Sequence, residues 1–93
     1  TTGRRNVGVG YGALDSNTTG STNTALGRAA LISNTTADNN TGIGTQALAA
    51  NTTGSSNVAV GYNTLTANTT ISSMTAVGTD ALASHTSGDL TRI

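Results

Sequence analysis

Few side chains in this sequence are of a type that does chemistry. The ionisable residues of the 93-residue chain are Arg4, Arg5, Asp15, Arg28, Asp38, Asp80, His85, Asp89 and Arg92. A glycosidase needs two carboxylates at a defined separation, but Asp15, Asp38 and Asp80 fall at three different positions of the repeat described below. His85 stands among hydroxyl residues without an adjoining acid to orient its imidazole. We therefore predict that the chain is not an enzyme.

Motifs that bind cofactors or metals are also missing from the sequence. The glycine-rich stretch 8–12 lacks the Gly-x-Gly-x-x-Gly spacing of a phosphate-binding loop. Calcium-binding β-rolls repeat an aspartate in their coils, and no position of this repeat is regularly aspartate. Thiolate metal sites need cysteine, which the chain lacks. We predict no cofactor and no metal.

The composition excludes several classes of partner. Thr, Ala, Gly, Asn and Ser supply 64 of the 93 residues, whereas Leu, Ile, Val and Phe supply only 16. That aliphatic content is below the level of ordinary globular cores. Four arginines balance four aspartates, so the basic surplus of a nucleic-acid-binding protein is absent. No apolar run approaches the ~18 residues of a membrane span, and we expect neither nucleic acid nor membrane insertion.

A 17-residue repeat runs through the chain. The segment Asn-Val-Gly-Val-Gly at 6–10 returns as Asn-Thr-Ala-Leu-Gly at 23–27, and related copies follow. The copies start at residues 6, 23, 40, 57 and 74 without insertion. We divide the chain into an N-terminal lead-in at 1–5, five repeats at 6–90 and a C-terminal remnant at 91–93.

A repeat of this length fits one coil of a parallel β-solenoid, or β-roll. Paired-helix repeats need more than about 30 residues, and Thr, Asn and Gly are poor helix formers. Short strands joined by Gly- and Asn-rich turns fit better. We predict an all-β fold of about five coils, each pairing with the next at ~4.8 Å.

Alternation along each strand assigns its two faces. We expect an aliphatic strand column and a leucine column to form the core: Val9, Leu26, Ile43, Val60 and Val77, and Leu14, Leu31, Leu48, Leu65 and Leu82. The opposite, small-residue face consists of Gly8, Ala25, Gly42, Ala59 and Ala76, and of Gly10, Gly27, Gly44, Gly61 and Gly78. Two interpretations of this face stay open. It is a turn that requires positive φ at the second glycine, or a flat surface for the close approach of another chain.

The sequence Asn-Thr-Thr recurs at one corner of the coils. Its asparagines are Asn17, Asn34, Asn51 and Asn68. We expect them to stack as a hydrogen-bonded ladder, because asparagine tolerates turn conformations. Each also begins an Asn-x-Thr sequon, as does Asn39, so N-linked glycans are an alternative role.

Each coil buries too little apolar surface to be stable alone. Two aliphatic side chains per coil do not offset the conformational entropy that 17 residues lose on folding. Burial against identical neighbours supplies the missing area. We expect an oligomer.

The repeat resembles those of known fibrous proteins. The Asn-Thr-Ala-Leu-Gly-x-x-Ala-Leu core at 23–31, with Asn-Thr-Thr-Gly at 17–20 and 51–54, is similar to repeats of phage tail fibres and related bacterial surface proteins. It is more loosely similar to head repeats of trimeric autotransporter adhesins, which have shorter coils. The resemblance covers residues 6 to about 84. It implies three chains around one axis in a rigid extracellular fibre, on a virion or a bacterial surface.

Three functions stay open at this point. The first is a structural shaft or stalk segment of a trimeric phage tail fibre or bacterial adhesin, with host glycans bound by other regions. The second is an adhesive head that binds host glycans itself, although Tyr11 and Tyr62 stand three coils apart and form no aromatic cluster. The third is a subunit of an extracellular filament, in which coils stack end to end through their exposed sheet edges.

Overall fold

Short strands recur along the chain at nearly constant spacing. A computed structural model describes residues 3–83 and the backbone of residues 91–92. The strands are β1 (Val7–Val9), β2 (Thr24–Leu26), β3 (Thr41–Ile43), β4 (Val58–Val60), β5 (Thr75–Val77) and β6 (Thr91–Arg92). The described residues contain no helix, so this part of the chain is all-β.

The six strands form one sheet in sequence order, and every neighbouring pair is parallel. Val7 pairs with Thr24 and Thr24 with Thr41, a step of one repeat each time. The chain therefore winds as a β-solenoid in which one repeat makes one coil. This confirms the parallel β-solenoid that the repeat predicts.

The last strand departs from the repeat by one residue. Thr91 pairs with Thr75, which is a step of 16 residues (91 − 75). The sequence predicts a remnant at 91–93, whereas 91–92 continue the sheet in the register of a further coil. Residues 84–90, with His85 and Asp89 among them, lie outside the described residues, as does Ile93.

The turns opposite the sheet contain left-handed backbone at non-glycine residues. In the second coil, Ala29 has a φ of 62° and Leu31 a φ of 52°. This conformation costs about 1–2 kcal/mol for an L-residue. Hydrogen bonds hold it in place: the Leu31 N–H donates to the Ala47 carbonyl of the next coil (3.0 Å), and the Asn34 N–H donates to the Leu31 carbonyl (3.1 Å).

The core lies between the sheet and these turns. Leu31, Leu48 and Leu65 are fully buried. Leu14 and Leu82 are partly buried and pack against the same cluster. The leucine column thus fills the interior of the solenoid from the side opposite the sheet.

The two faces of the strands are the reverse of the prediction. Ala25 and Ala59 are fully buried, whereas Val9 is 54% exposed and Leu26 is 46% exposed. The column predicted to point into the coil is on the outside: Val9, Leu26, Ile43, Val60 and Val77. The column predicted to lie outside faces the interior: Gly8, Ala25, Gly42, Ala59 and Ala76.

The volume of the leucine side chains explains this reversal. A Cβ atom added to Gly42 would lie 3.4 Å from Leu31 Cγ and 3.1 Å from the carbonyl oxygen of Ala47. A Cβ atom at Gly8 would lie 3.6 Å from Leu14 Cδ1. An inward strand position therefore has room for a methyl group at most. The larger aliphatic residues of the strands must point outward.

The glycines that follow the first five strands share an unusual backbone conformation, and four of them also lie tightly against the next coil. These glycines, with φ between 122° and 131°, are Gly10, Gly27, Gly44, Gly61 and Gly78. Glycine adopts such angles without a steric penalty. In addition, a Cβ atom on Gly27 would lie 2.7 Å from the carbonyl carbon and oxygen of Gly44. The close approach at this column is between coils of one chain, as a turn position requires.

Candidate functional surface

The ionisable side chains do not assemble into a catalytic site in the described part of the chain. Asp15, Asp38 and Asp80 are exposed on different coils. Asp38 Oδ1 accepts a hydrogen bond from the Ser21 N–H (2.7 Å), and Asp80 Oδ1 accepts one from Asn63 Nδ2 (2.8 Å). Both bonds join neighbouring coils, so these two carboxylates have structural roles. Residues 3–83 and 91–92 hold no group of three metal-ligating residues and no pocket.

The most distinctive surface is the outward face of β1–β5, which we call the apolar stripe. Its two columns are Val7, Thr24, Thr41, Val58 and Thr75, and Val9, Leu26, Ile43, Val60 and Val77. Neither column contains a charged residue. Val7 and Val9 are more than half exposed. Ile43 and Val60 are half-buried. Adjoining apolar residues that reach the surface are typical of interaction sites in soluble proteins.

A ladder of corner asparagines holds the coils that carry the stripe in register. Asn34 Nδ2 donates to Asn17 Oδ1 (3.0 Å), and Asn51 Nδ2 donates to Asn34 Oδ1 (3.1 Å). Asn68 Nδ2 continues the series to Asn51 Oδ1 (3.1 Å). Asn34, Asn51 and Asn68 are fully buried. The column Asn17, Asn34, Asn51 and Asn68 therefore forms one continuous hydrogen-bonded ladder.

A second asparagine ladder, not predicted from the sequence, lies immediately before the strands. Its members are Asn6, Asn23, Asn40 and Asn57, and the last three are fully buried. The Asn40 N–H donates to Asn23 Oδ1 (2.9 Å), and the Met74 N–H donates to Asn57 Oδ1 (2.9 Å). The signal in the sequence is the asparagine that opens four of the five repeats. Its role is to fix the start of each strand against the next coil.

The two ladders meet at the same backbone carbonyls. Gly54 O accepts hydrogen bonds from Asn51 Nδ2 (2.9 Å) and from Asn40 Nδ2 (2.7 Å). Ala37 O likewise accepts from Asn34 Nδ2 (3.2 Å) and Asn23 Nδ2 (2.8 Å). Each corner is thereby tied to the beginning of a strand. The strands beneath the stripe are held as a fixed array.

The aromatic surface consists of two separated tyrosines. Tyr11 is 84% exposed and Tyr62 is also exposed. They occupy the same repeat position three coils apart, and Arg28 and Thr45 stand at that position in the coils between them. This arrangement is not a stacking platform for a sugar.

The outward position of the stripe is the surface feature that the sequence did not predict. The predicted outer face was the small-residue one, because large aliphatic residues are usually inside. A signal was present: a coil whose leucine already fills the interior leaves only Gly and Ala room on the inward strand column.

Comparison with known proteins does not assign a family. No protein-family model, curated protein or solved structure matches this chain. In the described part of the chain, no helix is long and apolar enough to cross a membrane.

Proposed function

We propose that the chain is a structural segment of an extracellular fibre shaft, of the kind found in phage tail fibres and bacterial surface adhesins. Three parallel copies pack around a common axis and bury their apolar stripes against one another. The observation that carries this proposal is the uncharged, partly exposed stripe on a hydrogen-bonded solenoid.

The energy of burying the stripe supports self-association. Its seven aliphatic residues are Val7, Val9, Leu26, Ile43, Val58, Val60 and Val77. Full burial of such a side chain contributes about 1.5–3 kcal/mol, and those with the largest exposure retain about half of their surface. Burial of the remainder therefore contributes on the order of 7 kcal/mol per chain. Because association itself costs about 4–15 kcal/mol, five coils assemble reversibly, and each further coil of a longer shaft strengthens the contact.

The regular spacing of the stripe favours another copy as the partner. Its rungs repeat at the separation of paired strands, about 4.8 Å. A partner must present the same spacing to contact all five rungs in register. A parallel copy of the same chain meets this condition without any adjustment.

The internal bonding suits a mechanical role. Asparagine ladders, parallel strand pairing and corner bonds such as Thr52 Oγ1 to Thr69 O (3.2 Å) join each coil to the next. Bending the rod requires many of these bonds to lengthen together. A shaft of this kind gives stiffness and reach, while receptor binding belongs to other regions.

The test is light scattering across a dilution series, which gives the solution mass of the unmodified chain and of two single-residue variants. We expect the unmodified chain to approach three times 9.1 kDa at high concentration. Ile43→Lys places a charge in the stripe and is expected to stay monomeric. Thr53→Lys, the same charge at an exposed corner position, is expected to assemble normally. Far-UV circular dichroism establishes that both variants are folded.

Two results would overturn the proposal. One is a folded chain that stays monomeric at every concentration, and the other is Ile43→Lys assembling like the unmodified chain. Growth without a fixed end point would instead indicate end-to-end stacking into a filament.

A further inference from the structure

We infer that Asn39 is an acceptor site for an N-linked sugar in the folded chain, the modifying partner being a glycosyltransferase that uses a nucleotide sugar. Five Asn-x-Thr sequons occur in the sequence, and the fold treats their amides differently. The inference concerns the single folded chain before assembly, because the sequon's Thr41 belongs to the apolar stripe that the proposed fibre would bury.

Three corner sequons present no accessible amide. Asn34, Asn51 and Asn68 have zero exposed surface. Asn51 Nδ2 donates to Asn34 Oδ1 (3.1 Å) and to Gly54 O (2.9 Å). Both hydrogens of this amide are therefore bonded inside the protein. Attaching a sugar there would require the ladder to break.

The fourth corner sequon is partly exposed but still bonded. Asn17 Nδ2 donates to Gly20 O (3.0 Å), and Asn17 Oδ1 accepts from Asn34 Nδ2 (3.0 Å). Its amide plane is fixed by these two bonds. Sugar transfer would again disrupt the end of the ladder.

Asn39 has a different environment. It is exposed, and its φ of 61° is the left-handed conformation that asparagine tolerates well. Its backbone N–H donates to Ser21 O (3.0 Å). In residues 3–83 and 91–92 its side-chain amide makes no hydrogen bond. The backbone is fixed while the amide is free.

The hydroxyl residue of this sequon is also on the outside. Thr41 lies in the first column of the apolar stripe and is half-buried. Asn40, between the two, is fully buried, and its N–H donates to Asn23 Oδ1 (2.9 Å). Because Asn40 is buried and hydrogen-bonded, Asn39 and Thr41 are the two accessible members of the motif. An Asn-x-Thr acceptor presents these two groups to the transferase.

The transfer step is a substitution at the anomeric carbon of the sugar. A bond forms between Asn39 Nδ2 and that carbon, and Nδ2 loses one proton to a base of the transferase. The bond between the anomeric carbon and the nucleoside diphosphate breaks, and the diphosphate leaves with its electron pair. The ladder bonds of the fold take no part.

The experiment uses purified folded chain, a soluble N-glycosyltransferase and a nucleotide hexose, with the products analysed by intact mass and peptide mapping. We expect one hexose per chain, on Asn39. Asn39→Ser, which introduces the residue found at the equivalent position 56, should accept none. Thr41→Val removes the same sequon with a residue that strands β1 and β4 carry at this position, and should also accept none.

Control variants distinguish modification at Asn39 from modification at the corner asparagines. Thr53→Val removes the Asn51 sequon through an exposed residue and should still accept one hexose. A peptide of residues 48–56 is expected to accept a hexose at Asn51, which tests whether that sequon is a substrate outside the fold. Ile43→Lys keeps the Asn39 sequon, so its modification is measured without self-association.

Two results would overturn the assignment. The first is folded Ile43→Lys that accepts no hexose under conditions that modify the peptide. The second is folded Asn39→Ser that still accepts a hexose, with the label mapped to a corner asparagine.

Discussion

The glycines after the strands offer a matched pair of substitutions. Gly44 and Gly78 have similar φ angles of 122° and 125°. A Cβ atom added to Gly44 would lie 2.6 Å from the carbonyl oxygen of Gly61, whereas one added to Gly78 would have no atom of the described residues within 4 Å. Alanine strains the backbone at both positions and collides only at the first. The difference between the two variants therefore measures how closely the coils approach.

The expected magnitudes follow from these contacts. Positive φ at alanine costs about 1–3 kcal/mol, so Gly78→Ala should lower the free energy of unfolding by about 2 kcal/mol. In Gly44→Ala the 2.6 Å contact must also lengthen to the 3.4 Å of an ordinary contact. Such a shift disrupts the hydrogen bond from the Gly61 N–H to Ile43 O (2.7 Å) and at least one neighbouring hydrogen bond between the coils. Each of these hydrogen bonds contributes about 1 kcal/mol. Together with the backbone strain, Gly44→Ala should therefore lower the free energy of unfolding by about 4 kcal/mol.

The assay is urea unfolding followed by far-UV circular dichroism, at one protein concentration for both variants and the unmodified chain. Gly44→Ala should have the lower midpoint by an amount equivalent to about 2 kcal/mol. Equal midpoints for the two alanine variants would refute the reasoning, because they would show that strain alone makes these positions glycine.

Other substitutions test the ladder, the interior and the turns. Asn51→Ala removes three hydrogen bonds and should cost about 3 kcal/mol. Asn17→Ala removes two at a partly exposed site and should cost about 1 kcal/mol; equal urea midpoints would contradict this ranking. Ala59→Val overfills the interior and should cost about 1–3 kcal/mol, whereas the outward Val60→Thr should cost less than about 1 kcal/mol in thermal unfolding. Ala29→Gly relieves a φ of 62° and should raise stability by about 0.5 kcal/mol; a lower melting temperature would count against it.

The coil architecture was predictable because the repeat is strict. A fixed spacing, without Pro and with β-branched residues at positions 7, 24, 41, 58 and 75, limits the chain to strands in register. The corner column was also accessible to reasoning, because its Asn-Thr-Thr sequence indicates a turn and asparagine tolerates turn conformations. Neither inference depends on the volume of the interior.

The orientation of the strands was not predictable from alternation alone. Alternation shows that Val9 and Gly8 point to opposite sides, but it does not show which side has room. That depends on Leu14, which reaches the inward strand position from the opposite turn. The second ladder was hidden for a related reason: Asn40 is polar and fully buried, and its shortest side-chain hydrogen bonds are made with backbone groups 14 and 17 residues further along the chain, Gly54 O and Asn57 N–H.

Cross-linking at one end of the apolar stripe tests most directly whether parallel copies meet through it, as we propose. The chain contains no cysteine, so Val9→Cys introduces a single thiol. Packed sheets lie about 10 Å apart, within reach of a short bis-maleimide. If the copies are parallel and in register, Val9→Cys alone should give efficient covalent dimers, and Thr53→Cys should give none. Cross-links found only when Val9→Cys is mixed with Val77→Cys would indicate antiparallel copies, and no cross-link at either position would contradict assembly through the stripe.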